Sequence, residues 1–328
     1  MNNKIAITGG AGFIGSHLVK KFAANGYHVV AIDNFIRGVP SRLENIKGHV
    51  ETKNVDICNA MQLVEATSGC KAIFHLAAIN GTENFYKIPD KILEVGVKGM
   101  FNVMDACYQN NIKELIIASS AEAYQDSETI PTPETVTLKV PDPTNPRYSY
   151  GASKLISEVI AFDCYREHFN KLQIFRPHNI YGPDMGTKHV IPQFVLRLLE
   201  KLKTSDDTTI NFEIQGDGLE TRAFCYIDDL ITGLETMYLN GGHREIYHIG
   251  NPEEVTILNV VDAVFANTQN PYKIVTTPLT AGSVKRRCPD ITKMSTIGYT
   301  PKVSLMEGVK RTYDWYKEYF KTNQNSLV

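Results

Sequence analysis

The chain has 328 residues, 43% hydrophobic and 21% charged, with a formal net charge of −2. That length supports a large core and leads us to expect two domains or one domain with a subdomain, while the near-neutral charge argues against a nucleic acid or an anionic membrane as partner. No apolar run approaches the ~20 residues that span a bilayer, and Ile5-Ala6-Ile7 is too short for a secretion signal, so we expect a cytoplasmic protein acting on a small molecule.

In the first half, short apolar runs alternate with amphipathic stretches. Residues 4–8, 28–32, 72–76, 115–118 and 172–175 read as buried strands, and 13–25, 90–110 and 150–169 as helices. Such alternation predicts a parallel sheet covered on both faces. After Arg176 the rhythm is broken by Pro177, Gly182, Pro183 and Gly186, which marks the start of a subdomain, and 192–202 reads as a helix. Phe224-Cys225-Tyr226-Ile227 predicts a return to the sheet before a helix capped by Asp228 or Asp229. Residues 270–300 have little regular pattern, 305–320 repeat apolar and aromatic residues at helical spacing, and the polar tail from Thr322 is expected to fray. The predicted fold is therefore α/β, a Rossmann-type doubly wound parallel sheet with a smaller C-terminal substrate-binding subdomain. The first comprises 1–177 plus about 220–265, the second about 178–219 plus 266–328.

Cys58, Cys70, Cys107, Cys164, Cys225 and Cys288 are scattered, with no CxxC or Cys/His cluster. Neither a metal site nor a disulfide framework is expected, only packed, reduced thiols.

Gly9, Gly12 and Gly15 follow the first strand and open the first helix, around Phe13 and Ile14. Gly9 would allow the tight turn, Gly12 the approach of backbone N–H groups to a pyrophosphate, and Gly15 close packing of helix on sheet. Asp33, at the end of the second strand and followed by Asn34, would accept hydrogen bonds from ribose hydroxyls and repel a 2′-phosphate, which favours NAD over NADP; Arg37 softens that preference. Asp56 and Ile57 would border the adenine, and Leu76, Ala77 and Ala78 would let the cofactor pass, with His75 packed at the strand end. Tyr150 and Lys154 stand four apart on a predicted helix and so share a face. A cation beside a phenol favours the phenolate, which lets the pair move a hydroxyl proton at neutral pH.

Taken together, these motifs resemble the extended short-chain dehydrogenase/reductases that act on nucleotide sugars. The resemblance runs through Gly9 to Gly15, Asp33, His75 to Ala78, Ser119-Ser120-Ala121-Glu122-Ala123-Tyr124, Tyr150 to Lys154, Arg176 to Pro183, Gly216-Asp217-Gly218, Arg222 to Asp229, and Arg286-Arg287-Cys288-Pro289-Asp290. It implies that Tyr150 is the acid/base, that Lys154 tunes it and holds the nicotinamide ribose, and that Ser120 bonds the sugar hydroxyl oxidised at carbon 4. Ser119 and Pro177 join the implied cofactor contacts. Ala121, Glu122, His178, Asn179, Lys188, Arg222 and Arg287 are the implied substrate contacts, the arginines because planar guanidinium forks match phosphate oxygens. A 4-keto group acidifies the hydrogens on carbons 3 and 5, so the product depends on the residues around Glu122. Ala121 stands where the 4,6-dehydratases of deoxythymidine-diphosphate glucose carry an acid. The string His178-Asn179-Ile180-Tyr181-Gly182-Pro183 is similar to one in GDP-mannose 3,5-epimerases, whose catalytic lysine corresponds to Lys188 and whose catalytic cysteine corresponds to Glu122. Glu122 and Lys188 are thereby expected to form a two-sided proton-transfer pair.

The expectation is an NAD-dependent nucleotide-sugar epimerase with transient oxidation at carbon 4. The runner-up is a 4,6-dehydratase or decarboxylase, and the alternative of another class is a non-catalytic regulator that binds NAD and metabolites. The resemblance also implies a homodimer joined through a four-helix bundle formed by helices 90–110 and 150–169.

Overall fold

Seven parallel strands form the central sheet of the computed structural model, which describes residues 3–204, 208–278 and 285–322. Across the sheet the order is Glu245–Ile249, Lys171–Pro177, Glu114–Ala118, Ala72–His75, Lys4–Thr8, His28–Asp33 and His49–Asn54. The inner strands are largely apolar runs because helices cover both faces. Ile5, Ile7, Phe74, Ile116 and Phe175 face one core layer, and Ala6, Val30, Ile73, Leu115 and Ile117 the other. The fold class is the one the alternation predicts, a Rossmann-like sheet with flanking helices.

Some boundaries differ from the expectation. The edge strand His49–Asn54 was not predicted, since Glu51, Thr52, Lys53 and Asn54 hide it among polar residues of a half-solvated edge. Return to the sheet occurs at Glu245–Ile249, whereas Cys225–Tyr226 pairs with Ile180–Tyr181 outside it. The helix Ile227–Asn240 has no side-chain cap; Asp229 instead accepts from the Lys302 and Val303 amides at 2.9 Å each and fastens the C-terminal segment. The expected helix over 90–110 is three pieces, Pro89–Leu93, a π-helical turn at Glu94–Lys98, and Gly99–Gln109. The helix that begins at Ser149 ends at Asp163, with Tyr165 in the left-handed region. Within 270–300 lie the strands Tyr272–Thr277 and Arg286–Arg287 and the short helix Thr292–Thr296. The tail beyond Thr322 lies outside the described residues.

All six cysteines are free. Among the described residues, no helix is long and apolar enough to cross a membrane.

Candidate active site

The site forms along the carboxyl ends of the strands. Behind the first strand the chain turns at Gly9, φ 69°, where a Cβ would lie 2.9 Å from the Ala77 nitrogen; at Gly15 a Cβ would lie 2.0 Å from the Gly9 carbonyl oxygen. Only glycines bring the first helix this close to the turn. That helix, Phe13–Ala24, has no side-chain cap and no acidic residue in its first turn. Its leading amides and positive dipole end are thus directed at an anion, which fits a dinucleotide pyrophosphate. Asp33 is buried, and its carboxylate accepts from the Ala11 and Phe35 amides at 3.0 and 2.9 Å. Asn34 donates to Asp56 at 3.1 Å, Asp56 also accepts from the Cys58 amide at 2.8 Å, and Ile57 is buried beside Gly99. His75 is packed rather than catalytic: its Nδ1 pairs with Thr8 Oγ1 at 2.8 Å, and burial, assisted by the Lys154 charge, drives its pKa down to about 3.

Tyr150 and Lys154 lie on the buried face of Ser149–Asp163. The Ser120 side chain lies beside the Tyr150 phenol and lowers its pKa, and Phe85 stacks on the ring with centroids 5.5 Å apart. Lys154 Nζ lies 5.8 Å from the Tyr150 ring centroid and donates to the Ala118 carbonyl at 2.7 Å. Burial pushes the phenol up to about 12, against the effect of Ser120; burial also pulls Lys154 down to about 8, against the Glu158 charge. Gly151 brings the two elements together, because a Cβ there would lie 2.1 Å from Gln125 Nε2 and 2.7 Å from the Glu122 carbonyl.

A buried polar frame supports this turn. Arg176 donates to both oxygens of Glu158, at 2.8 and 2.6 Å, and also to the Tyr124 hydroxyl; Ser119 donates to Glu158. Tyr124 in turn bonds His248 Nε2 at 2.7 Å.

Glu122 meets Arg287, whose Nη1 donates to Oε1 at 2.5 Å. Burial raises the Glu122 carboxyl, but the charges of Arg287, Arg147 and Arg222 outweigh it and hold the group below the ordinary carboxylate range. Ala121, Tyr124, Gln125, His178 and Arg287 line one pocket. Pro177 closes its strand, and Asn179, φ 43°, donates to the Ala223 carbonyl at 2.9 Å.

Lys188 is elsewhere: its ammonium, 77% exposed, pairs with Glu83. The expected Glu122–Lys188 pair is therefore not formed, and Arg287 takes the place foreseen for the lysine. The sequence reading missed Phe85, Arg147 and the fork of Arg42, which grips Asp184 with two bonds of 2.7 Å and reaches the Ala11 carbonyl at 3.3 Å. No local motif marks any of the three; only the tertiary fold brings them in.

The sequence profile of the NAD dependent epimerase/dehydratase family matches residues 5–250. The UDP-N-acetyl-alpha-D-glucosaminuronate decarboxylase of Bacillus cytotoxicus is 30% identical over 97% of this chain and 99% of its own. The UDP-glucose 4-epimerase of Thermotoga maritima, solved with UDP-glucose, superposes with a TM-score of 0.84 at 28% identity, covering 97% of this chain and 99% of that one. The dTDP-glucose 4,6-dehydratase DesIV of Streptomyces venezuelae, solved with NAD bound, gives 0.84 at 26% identity, covering 97% and 98%. The chain belongs to the NAD-dependent epimerase/dehydratase family, the nucleotide-sugar branch of the extended short-chain dehydrogenase/reductases, and is an NAD-dependent enzyme of that family.

Proposed function

We propose that this enzyme is a nucleotide-sugar epimerase that oxidises the hexose at carbon 4 and reduces the same intermediate before release. The observation that carries this reading is the Ser120 side chain beside the Tyr150 phenol, with Lys154 buried 5.8 Å from the ring and donating to the Ala118 carbonyl. Ser120 orients the 4-hydroxyl, Tyr150 takes its proton, and Lys154 supplies the cation that stabilises the phenolate. Bound NAD supplies the hydride acceptor. A binding module has no use for a buried phenol and ammonium in this arrangement, which argues against the regulator.

Arg222 and Arg287 suit the diphosphate, and Gly9 to Gly15, Asp33, Asp56 and Ala77 suit NAD, with residues 1–177 and about 220–265 as the cofactor-binding part. Leu93, Phe101, Tyr108, Ile156 and Val159 are exposed apolar side chains on Pro89–Leu93, Gly99–Gln109 and Ser149–Asp163. They favour a homodimer through a four-helix bundle, and the cytoplasm remains the proposed location.

Decarboxylation is a second reading, favoured by the Glu122–Arg287 pair and by the name of the Bacillus cytotoxicus relative. A 4-keto sugar with a carboxylate on carbon 5 is a β-keto acid, and arginines beside Glu122 would hold that carboxylate. UDP-glucose and UDP-glucuronate incubated separately with the NAD-loaded enzyme in heavy water separate the two. Inversion at carbon 4 of UDP-glucose supports the epimerase; carbon dioxide release with deuterium at carbon 5 supports the decarboxylase. Absence of turnover and of NAD binding would refute both.

A further inference from the structure

Three buried histidines lie near the site, and two are satisfied. His75 pairs with Thr8; His248 pairs with the Tyr124 hydroxyl at 2.7 Å and with the Asp290 carbonyl at 3.1 Å. His178 differs: it is 1% exposed, and neither Nδ1 nor Nε2 has a hydrogen-bond partner among the described residues. Leaving buried polar atoms unpaired is costly, and folded proteins rarely do so. The ring is not free to swing out, because the His178 amide is tied to the Ile249 carbonyl at 3.1 Å, Asn179 is tied to Ala223, and His248 packs edge to face at 4.6 Å. It lines the pocket shared by Ala121, Gln125 and Arg287, beside the turn that carries Ser120 and Glu122.

We propose that His178 is a specificity-determining residue that holds a hydroxyl of the sugar ring, an inference that rests on the nucleotide-sugar reading above. The chemistry selects a hydroxyl over a phosphate. Burial first, then the neighbouring His248, Arg287 and Arg176, keep the imidazole neutral, so it offers one N–H donor and one bare nitrogen acceptor. A hydroxyl matches both functions, whereas a phosphate seeks cations and finds them in Arg222 and Arg287. The residue thus complements Ser120, which addresses the reacting hydroxyl.

The test uses the full NAD-loaded chain and calorimetric titration with matched pairs: UDP and UDP-glucose, dTDP and dTDP-glucose, GDP and GDP-mannose. For the preferred pair, His178→Phe is expected to weaken the sugar nucleotide about tenfold and leave the bare diphosphate within about twofold, as for loss of one well-formed hydrogen bond. His178→Gln, whose amide offers a donor and an acceptor, recovers most of that loss. Equal weakening of both members, or of neither, overturns the proposal. A second readout needs no folded Phe variant: in protein labelled with ¹⁵N-histidine, the sugar nucleotide shifts the His178 ring nitrogens and the diphosphate alone does not. Equal shifts with both ligands overturn the proposal as well. If the wild type binds neither any of the six probes nor UDP-glucuronate, the nucleotide-sugar reading itself fails, and the role of His178 with it.

Discussion

Arg287 and Glu122 stand 165 positions apart and meet at 2.5 Å in the site. The guanidinium keeps the carboxylate ionised in a part-buried place and sets its orientation beside the Ser120–Tyr150 turn. If the pair addresses the keto intermediate, Glu122→Gln lowers kcat about a hundredfold, the typical worth of a positioned acid or base, and leaves NAD binding unchanged. Arg287→Lys, which loses the planar fork, weakens the nucleotide diphosphate as well. Steady-state kinetics together with calorimetry check both; a Glu122→Gln enzyme of normal kcat assigns the carboxylate to holding Arg287.

Gly15→Ala strikes the first glycine turn. Its Cβ would overlap the Gly9 carbonyl oxygen at 2.0 Å, and overpacking of this kind typically destabilises by about 1–3 kcal/mol. The expected outcome is a protein that unfolds at lower urea and purifies without NAD, measured by denaturant titration and by the nucleotide released on heating.

The buried pair Arg176–Glu158 predicts a non-additive result. Removing one partner leaves an uncompensated charge in the core and costs about 3–5 kcal/mol, whereas replacing both costs less. Urea unfolding of Arg176→Met, Glu158→Gln and the double variant tests this, with the Ser119 and Tyr124 bonds to the frame setting the residual loss.

His75 sets an acid limit on stability. Burial depresses its folded pKa to about 3, against about 6.5 in the unfolded chain. Between those values the unfolded state binds a proton that the folded state refuses, so stability is complete above pH 6.5 and falls as pH drops toward 3, by about 1.4 kcal/mol per pH unit at most. His75→Gln is expected to be less stable at pH 7 and to have a shallower decline on acidification. Urea titrations across that window measure the slope, and an unchanged slope contradicts the assignment.

Much of the parallel sheet with its first glycine turn was legible because its determinants are local. Gly9, Gly12, Gly15 and the strand ending at Asp33 lie within one βαβ unit, and Tyr150 and Lys154 lie one helical turn apart. What escaped were relationships made by tertiary closure: Phe85 stacked on Tyr150, Arg42 on Asp184, and Arg287 on Glu122 in the place expected for Lys188. The half-polar edge strand His49–Asn54 was lost because solvent on one side erases the apolar run. Asp229 reads as a helix cap in sequence and instead serves a distant segment, since a carboxylate binds whichever amides the fold presents.

The central claim is the return of one and the same hydrogen to carbon 4. Deuterium at carbon 4 of UDP-glucose, followed by NMR through turnover on the NAD-loaded enzyme, tests it most directly. The account predicts that the label stays at carbon 4 in the inverted product, and that Tyr150→Phe slows its transfer about a thousandfold without loss of bound NAD. Exchange of that label with solvent, or undiminished transfer in Tyr150→Phe, would contradict it.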